Sequence, residues 1–252
     1  MSIKKPSELS GMQKASDAVA FTLREMINFA SPGLSTGELD EFGRKMLQKF
    51  GARSAPALAY GFPGTTCISI NAEFCHGIPS SSKILKEGDL VNIDVSAELN
   101  GFWSDNGASF IVGKDLFGHS ELVEASRKIL NRALNEIRSG MKISEFGELI
   151  EKETKLFGFK VVRNLAGHGI GRNLHESPKE ILNFGVKSQK RRFKENEVIA
   201  IETFISTSSD YAITTQDGWT MVGNKGGFMA QHEHTIMVTK DKPVILTINN
   251  GV

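Results

Sequence analysis

The chain repeats a pattern of helices and apolar strands, and this repeat restricts the folds open to it. The segment GLSTGELDEFGRKMLQKFG from Gly33 resembles GMKISEFGELIEKETKLFG from Gly140, at an offset of 107 residues. Each segment has apolar residues three and four positions apart, which is the spacing of one helix face, and another such pattern precedes each of them. The first segment opens with Ser35 and Glu38, the sequence of a capping box. We therefore predict four helices, near residues 12–26, 35–50, 120–139 and 143–157.

The stretch VNIDVSAELNGFWSDNG, residues 91–107, is predicted to form a hairpin. The Asn-Gly pair at 100–101 favours a two-residue loop, because both residues tolerate positive φ. With that loop, Ser96 lies opposite Asp105, and Asp94 points to the same face of the sheet. Two carboxylates on one face of an apolar hairpin would repel each other, so the pair favours a cation held between them over a turn-stabilising role.

The second half carries acids at matching positions. EGDLVNIDVS aligns with ENEVIAIETF at an offset of 108 residues, which places Glu202 where Asp94 stands. A gapped match of SDNGASFIVGK with QHEHTIMVTK places Glu233 in the position of Asp105. The repeat thus predicts a carboxylate pair on adjacent strands in each half.

We interpret the repeat as one α/β domain over residues 1–252, with halves of roughly 9–114 and 116–240 related by a pseudo-twofold axis. Chance similarity is the alternative, since two helix–strand units share a generic apolar pattern. The coincidence of the acids in apolar strands favours duplication.

Three histidines stand beside glycines that allow a close approach of the backbone. His168 and His175 lie in NLAGHGIGRNLHESP, and His76 lies in CHGIP. GHGIG lacks the lysine of a phosphate-binding loop and the spacing of a dinucleotide fingerprint, so we discount phosphate. The remaining histidines, at positions 119, 232 and 234, are interpreted as hydrogen-bonded structural residues.

Four carboxylates and a histidine in apolar surroundings require compensation of their charge. Two divalent cations would supply it, and oxygen ligands with one imidazole suit Mn²⁺, Fe²⁺, Co²⁺ or Zn²⁺. Paired metals activate water and bind an attacking and a leaving group together, so the pattern favours hydrolytic chemistry.

The bulk composition excludes several classes of partner. A net charge of +1 gives no general reason to expect nucleic acid or a membrane as a partner. Two cysteines are too few for a disulfide framework, and the first residues contain no apolar secretion segment. We therefore expect a cytoplasmic protein that binds neither a specific nucleic acid nor a membrane.

Several motifs resemble those of the type I methionine aminopeptidases, in the same order and over nearly the whole chain. They are CHGIP, NIDVS with SDNG, GHGIG with HE, IET and QHEHT. The resemblance implies the pita-bread fold, an α/β architecture whose pseudo-twofold halves surround a mostly antiparallel sheet. It implies removal of the initiator methionine, before a small second residue, by a hydroxide between two metals. The absence of an N-terminal domain and of a helical insertion favours type I over prolidases and type II enzymes.

The resemblance also assigns roles to individual residues. It implies five metal ligands: Asp94, Asp105, His168, Glu202 and Glu233. Glu202 would shuttle a proton, His175 would steady the oxyanion and His76 would hold the substrate near its amide. The residues implied around the methionine side chain and the scissile bond are Phe62, Cys67, His76, Leu174, His175 and Trp219.

Four positions depart from the usual family pattern. Thr203 stands where proline usually follows the ligand glutamate. Asn106 and Gly107 replace the usual residues after Asp105, and Leu174 stands where many relatives have an aromatic residue. None of these changes removes a ligand.

Two alternatives of function stay open at this stage. One is an aminopeptidase of other specificity, such as cleavage before proline, and the other is a non-enzymatic binding protein of the same fold. We expect peptide N-termini as substrates and a monomer. The basic run at 187–194 is either a solvated loop or a transient ribosome contact.

Overall fold

A computed structural model describes residues 1–251. The helices are α1 (Pro6–Phe29), α2 (Thr36–Lys49), α3 (Ala55–Tyr60), α4 (Ser120–Glu136) and α5 (Ile143–Leu156), with a 3₁₀ turn at Ile248–Asn250. The first seven strands are β1 (Arg53–Ser54), β2 (Cys67–Ile70), β3 (Glu73–Cys75), β4 (Leu90–Leu99), β5 (Phe102–Ile111), β6 (Lys160–Val161) and β7 (Ala166–Gly169). The others are β8 (Glu176–Leu182), β9 (Val198–Ser206), β10 (Ala212–Thr214), β11 (Met221–Gly223), β12 (Met229–Met237) and β13 (Val244–Ile245).

The four helices expected from the apolar spacing are confirmed, with differences at their ends. Helix α1 begins at Pro6, because proline fits the first turn of a helix, where its missing N–H costs nothing. The capping box of α2 is present, since Ser35 and Glu38 each accept the other's backbone N–H. Phe50, the last residue of the helix predicted near 35–50, lies just after the helix and is 38% exposed.

The strands form one large sheet and one small one. Seven strands of the ten-stranded sheet follow the order β1-β4-β5-β12-β9-β7-β8, while β2 and β6 pair with β4 and β9, and β13 pairs with β12. The small sheet has the order β10-β11-β3. The pairings between described strands are antiparallel, as expected.

The hairpin of β4 and β5 has the register expected from its Asn-Gly loop. Ser96 lies opposite Asp105, and Asp94 lies opposite Gly107. The loop residues Asn100 and Gly101 have φ angles of 52° and 78°. On β9 and β12, Glu202 and Glu233 are directly opposed. Because side chains alternate along a strand, each of these two strand pairs presents its acids on one face of the sheet.

Helices cover the opposite face of the sheet. Helix α1 packs on β4 and β5, and α4 packs on β9 and β12. Two separate apolar clusters fill these interfaces, one around Val19 and Ile93, the other around Ile129 and Ile201. The order of β4, β5, β12 and β9 suits two related halves, but duplication of 9–114 and 116–240 stays a prediction. None of the helices within residues 1–251 has the length and apolar content required to cross a membrane.

Candidate metal centre and substrate pocket

Five consecutive strands of the large sheet supply the five residues expected to bind metal. Asp94 lies on β4, Asp105 on β5, Glu233 on β12, Glu202 on β9 and His168 on β7. These strands are neighbours in the order β4-β5-β12-β9-β7. Residues from both halves of the sequence therefore converge at the middle of one sheet.

The cluster has the dimensions of a metal site. One potential ligand atom from each of Asp105, His168 and Glu233 lies within 4.8 Å of the others, and all three residues are buried. The Nε2 atom of His168 is 3.8 Å from an Oδ atom of Asp105. Among the described residues, the second oxygen of Asp105 and one oxygen of Glu233 have no hydrogen-bond partner. Buried carboxylate oxygens are rarely left unpaired, so the donor set fits a cation.

Burial and mutual repulsion perturb the acids of the cluster in the metal-free protein. Burial, together with other acids of the cluster, raises the pKa of Asp105, Glu202 and Glu233 well above the usual range. Burial also raises the pKa of Asp94, although a hydrogen bond from Asp105 and the charge of His76 oppose this. A cation would restore the charged forms, because it offsets both causes.

Neighbouring polar side chains hold the carboxyl of one acid and the backbone of another. The amide of Gln231 donates to Glu233 at 2.9 Å and accepts from Asn92 at 2.8 Å. The hydroxyl of Thr235 donates to the carbonyl of Asp105 at 2.8 Å and accepts its N–H at 3.0 Å. A Cβ atom at Gly107 would lie 2.5 Å from the Gln231 side chain, so the glycine leaves room for this support. The departure from the family pattern at Gly107 therefore has a steric reason.

The histidines of the site are held in different ways. Burial, with a further contribution from His175, lowers the pKa of His168 to about 3, so this imidazole is neutral and can act as a ligand. The rings of His168 and His175 lie 4.0 Å apart, and the Tyr60 hydroxyl is 2.6 Å from Nδ1 of His175. His76 has a φ of 54°. The side chains of His76 and His175 are exposed to the pocket. The surrounding protein nevertheless desolvates both rings, which lowers the pKa of each.

A cavity of about 150 Å³ opens onto the acids. All six residues expected around the substrate line it: Phe62, Cys67, His76, Leu174, His175 and Trp219. Phe62 and Trp219 meet edge to face at 5.2 Å. Asp94, Asp105, His168 and Glu202 also line the cavity, whereas Glu233 does not. Glu233 is 1% exposed, although one of its carboxylate oxygens lies within 4.8 Å of ligand atoms of Asp105 and His168.

Three lining residues were missed by the sequence analysis as site residues: Pro56, Tyr60 and Ser96. Ser96 was expected on the face of Asp94, but no role was attached to it. Tyr60 ends α3 just before Gly61 and Phe62, and its contact with His175 joins residues 115 positions apart. Only its proximity in sequence to Phe62 could have indicated it.

The histidines interpreted as structural lie outside the cavity lining. His232 is 3.1 Å from the Ser126 hydroxyl, and His234 is 2.9 Å from the Thr247 hydroxyl. His119 lies against Phe228, with ring centroids 4.1 Å apart. The two cysteines are buried free thiols.

Comparison with known proteins gives consistent matches over nearly the whole chain. The family model described as metallopeptidase family M24 matches residues 10–240. The methionine aminopeptidase 2 of Bacillus subtilis is 44% identical, over 98% of this chain and 99% of that protein. The crystal structure of methionine aminopeptidase from Thermotoga maritima superposes with a TM-score of 0.93 at 35% identity, covering 98% of this chain and 99% of that one. That from Rickettsia prowazekii gives a TM-score of 0.92 at 33% identity, covering 98% and 100%.

Proposed function

Because this chain belongs to metallopeptidase family M24, we propose that it is a methionyl aminopeptidase that removes the initiator methionine from proteins with a small second residue. The observation that carries the proposal is a buried cluster of acids and a histidine that opens into a small pocket lined by aromatic side chains. The acids provide the metal site of a hydrolase, and the pocket provides a place for one apolar side chain.

The metal site would use Asp94, Asp105, His168, Glu202 and Glu233. The unpaired oxygens of Asp105 and Glu233 support this assignment, and so does the position of these two acids on the adjacent strands β5 and β12. We propose two ions, of Mn²⁺, Fe²⁺, Co²⁺ or Zn²⁺, since one ion would leave several buried carboxylates uncompensated. When bound, such ions supply a Lewis acid and lower the pKa of water.

Three side chains at the cavity would manage the proton and the substrate. Glu202 lines the cavity beside Asp94 and Asp105, so its carboxyl would be placed to carry a proton between water and the leaving amine. His175 would donate a hydrogen bond to the developing oxyanion, with Tyr60 orienting its ring through Nδ1. His76, exposed to the cavity, would hold the substrate near its amide.

The pocket suits a methionine side chain. Phe62 and Trp219 offer aromatic edges, which make favourable contacts with a thioether sulfur. Cys67 and Leu174 complete an apolar wall, and both are less than 10% exposed. Leucine at position 174, where relatives often have an aromatic residue, would leave the pocket slightly wider than theirs.

The proposal is tested with short peptides and purified, metal-loaded protein. Release of methionine from Met-Ala-Ser should be fast, metal-dependent and abolished by chelation. Met-Leu-Ser should react slowly, because a bulky second residue meets the crowded metal site. Faster release of lysine from Lys-Ala-Ser than of methionine, or indifference to the second residue, would contradict the assignment.

The same series separates the two alternatives. A proline-directed aminopeptidase would prefer Met-Pro-Ser over Met-Ala-Ser, and a binding protein would release nothing. The presence of all five candidate ligands favours an enzyme, because a binding protein of this fold has no need to retain them.

A ribosome contact through the basic run is a further proposal. Arg191 already donates to Ser177 and Glu197, and Arg192 donates to the carbonyl of Gly140. Lys190 donates to the carbonyl of Lys187, so the exposed lysines at 187 and 194 would mainly provide the contact. Binding to ribosomes should weaken steeply with salt and with charge reversal at these lysines. Ribosome binding that changes with neither salt nor charge reversal would indicate that the basic run is only a solvated loop.

A cytoplasmic monomer is the setting we propose for this activity. The two free thiols suit a reducing compartment, where nascent chains are made.

A further inference from the structure

A buried polar cluster lies directly behind the acids of β9 and β12. Thr203 and His232 form the cross-strand pair next to the pair Glu202 and Glu233. Since side chains alternate along a strand, the first pair points toward α4 when the second points toward the cavity. The hydroxyl of Ser126, on α4, is 3.1 Å from Nδ1 of His232 and 3.3 Å from the Thr203 hydroxyl. We name these three residues the Ser126 cluster.

The hydrogen bonds of the Ser126 cluster can run in one consistent direction. Nδ1 of His232 donates to the Ser126 hydroxyl, which donates to the Thr203 hydroxyl. The Thr203 hydroxyl in turn donates to the carbonyl oxygen of Ser126 at 3.4 Å. Each hydroxyl then has a partner, which matters because all three side chains are at most 1% exposed.

The surroundings of the Ser126 cluster are apolar, so its arrangement is restricted. Ile201 and Ile205 flank Thr203 on the same face of β9, and both belong to the apolar cluster under α4. A hydroxyl that left this arrangement would lose its hydrogen-bond partner in surroundings without water, which is unfavourable. The cluster therefore ties both strands to α4 one residue away from the acids.

The first half of the chain has a corresponding contact. The hydroxyl of Ser16, on α1, is 2.9 Å from that of Ser104 on β5, and both are fully buried. Ser104 directly precedes Asp105, as His232 directly precedes Glu233. In each half a helix serine thus contacts the residue before an acid on a central strand.

We infer that the Ser126 cluster positions Glu202 and Glu233 for metal binding, so that Thr203, Ser126 and His232 are positioning residues. The inference rests on the proposed metal site. It gives Thr203, which departs from the family's usual proline, a role that proline cannot have, because proline has no hydroxyl.

The test compares metal affinity in variants that keep or remove one hydroxyl. Thr203→Val removes the hydroxyl at nearly constant volume, Thr203→Ser keeps it, and Ser126→Ala removes the central hydroxyl. Thr154→Val is the matched control, since its buried hydroxyl donates only within α5, to the carbonyl of Ile150 at 2.7 Å. Co²⁺ is titrated into chelator-treated protein, and the visible absorption spectrum reports both the dissociation constant and the geometry of the site.

We expect Thr203→Val and Ser126→Ala to bind Co²⁺ roughly tenfold more weakly, with altered absorption bands, as is typical when a residue that orients ligands is lost. Thr203→Ser and Thr154→Val should match the parent protein. Thermal unfolding of each metal-free variant verifies that the titration is performed on folded protein. If Thr203→Val does not fold, Ser126→Ala tests the inference instead.

Two results would overturn the inference. One is a parent-like dissociation constant and spectrum in both Thr203→Val and Ser126→Ala, and the other is an equal loss in Thr203→Ser. If the parent binds Co²⁺, these results refute only the positioning role of the Ser126 cluster. A parent protein that binds no Co²⁺ would refute the proposed function as well.

Discussion

Replacing Asp105 with asparagine should stabilise the metal-free protein while it abolishes metal binding. Asp105 is 6% exposed, and burial together with Glu233 and Asp94 raises the pKa of its carboxyl well above the usual range. The folded, metal-free protein therefore retains a proton on this group that the unfolded chain releases above about pH 4. Retaining this proton makes the folded state less stable as the pH rises. Asparagine has nearly the same shape and is neutral at every pH, so Asp105→Asn removes this loss of stability.

The magnitude follows from the pKa difference between the two states. An unfolded aspartate has a pKa of about 3.9, and each pH unit between that value and the folded pKa costs about 1.4 kcal/mol. The gain from Asp105→Asn is therefore larger at pH 7 than at pH 5, because the unfolded aspartate has released its proton in this range whereas burial and the neighbouring acids oppose its release in the folded protein. The gain thus grows as the pH rises, because the parent loses stability with rising pH and the variant does so less.

The assay is urea unfolding of chelator-treated protein at pH 5, 6 and 7, followed by the fluorescence of Trp103 and Trp219. Asp115→Asn is the control of opposite sign. Asp115 is exposed, and hydrogen bonds from Ser120 and neighbouring N–H groups lower its pKa. Its contribution to stability is therefore complete above the unfolded pKa of about 3.9, so its loss should destabilise the protein by the same amount at pH 5, 6 and 7. An Asp105→Asn variant no more stable than the parent at pH 7, or a difference that does not change with pH, would refute the reasoning.

Three further outcomes are expected. Saturating Mn²⁺ or Co²⁺ should raise the free energy of unfolding by about 2.7 kcal/mol at one hundred times the dissociation constant, and an unchanged urea midpoint would contradict metal binding to the folded state. His175→Ala should lower kcat about a hundredfold with unchanged metal content, because one oxyanion donor is lost, whereas a parallel loss of metal would make it a ligand. Trp219→Ala should reduce the preference for Met-Ala-Ser over Leu-Ala-Ser by about 1–3 kcal/mol, measured as the ratio of kcat/KM values, and an unchanged ratio would remove Trp219 from the pocket.

The sequence by itself determined the features that depend on local rules. The Asn-Gly loop sets the register of its hairpin, so the placement of Asp94 and Asp105 on one face followed from the alternation of a strand. The offset of the second half then identified Glu202 and Glu233, and apolar spacing with a capping box located the long helices. These inferences needed only a few neighbouring residues or a comparison of the two halves.

The tertiary structure alone decided which strands and side chains meet. The contact between β5 and β12 brings Asp105 next to Glu233, and nothing near either acid in the sequence specifies it. The contact of Tyr60 with His175 likewise depends on how α3 packs beside the loop before β8. No local sequence pattern singles out Ser126, and only the packing of α4 on two strands makes it the centre of a buried cluster. The physical reason is that such contacts depend on the close packing of elements far apart in the chain, which no local pattern of residues encodes.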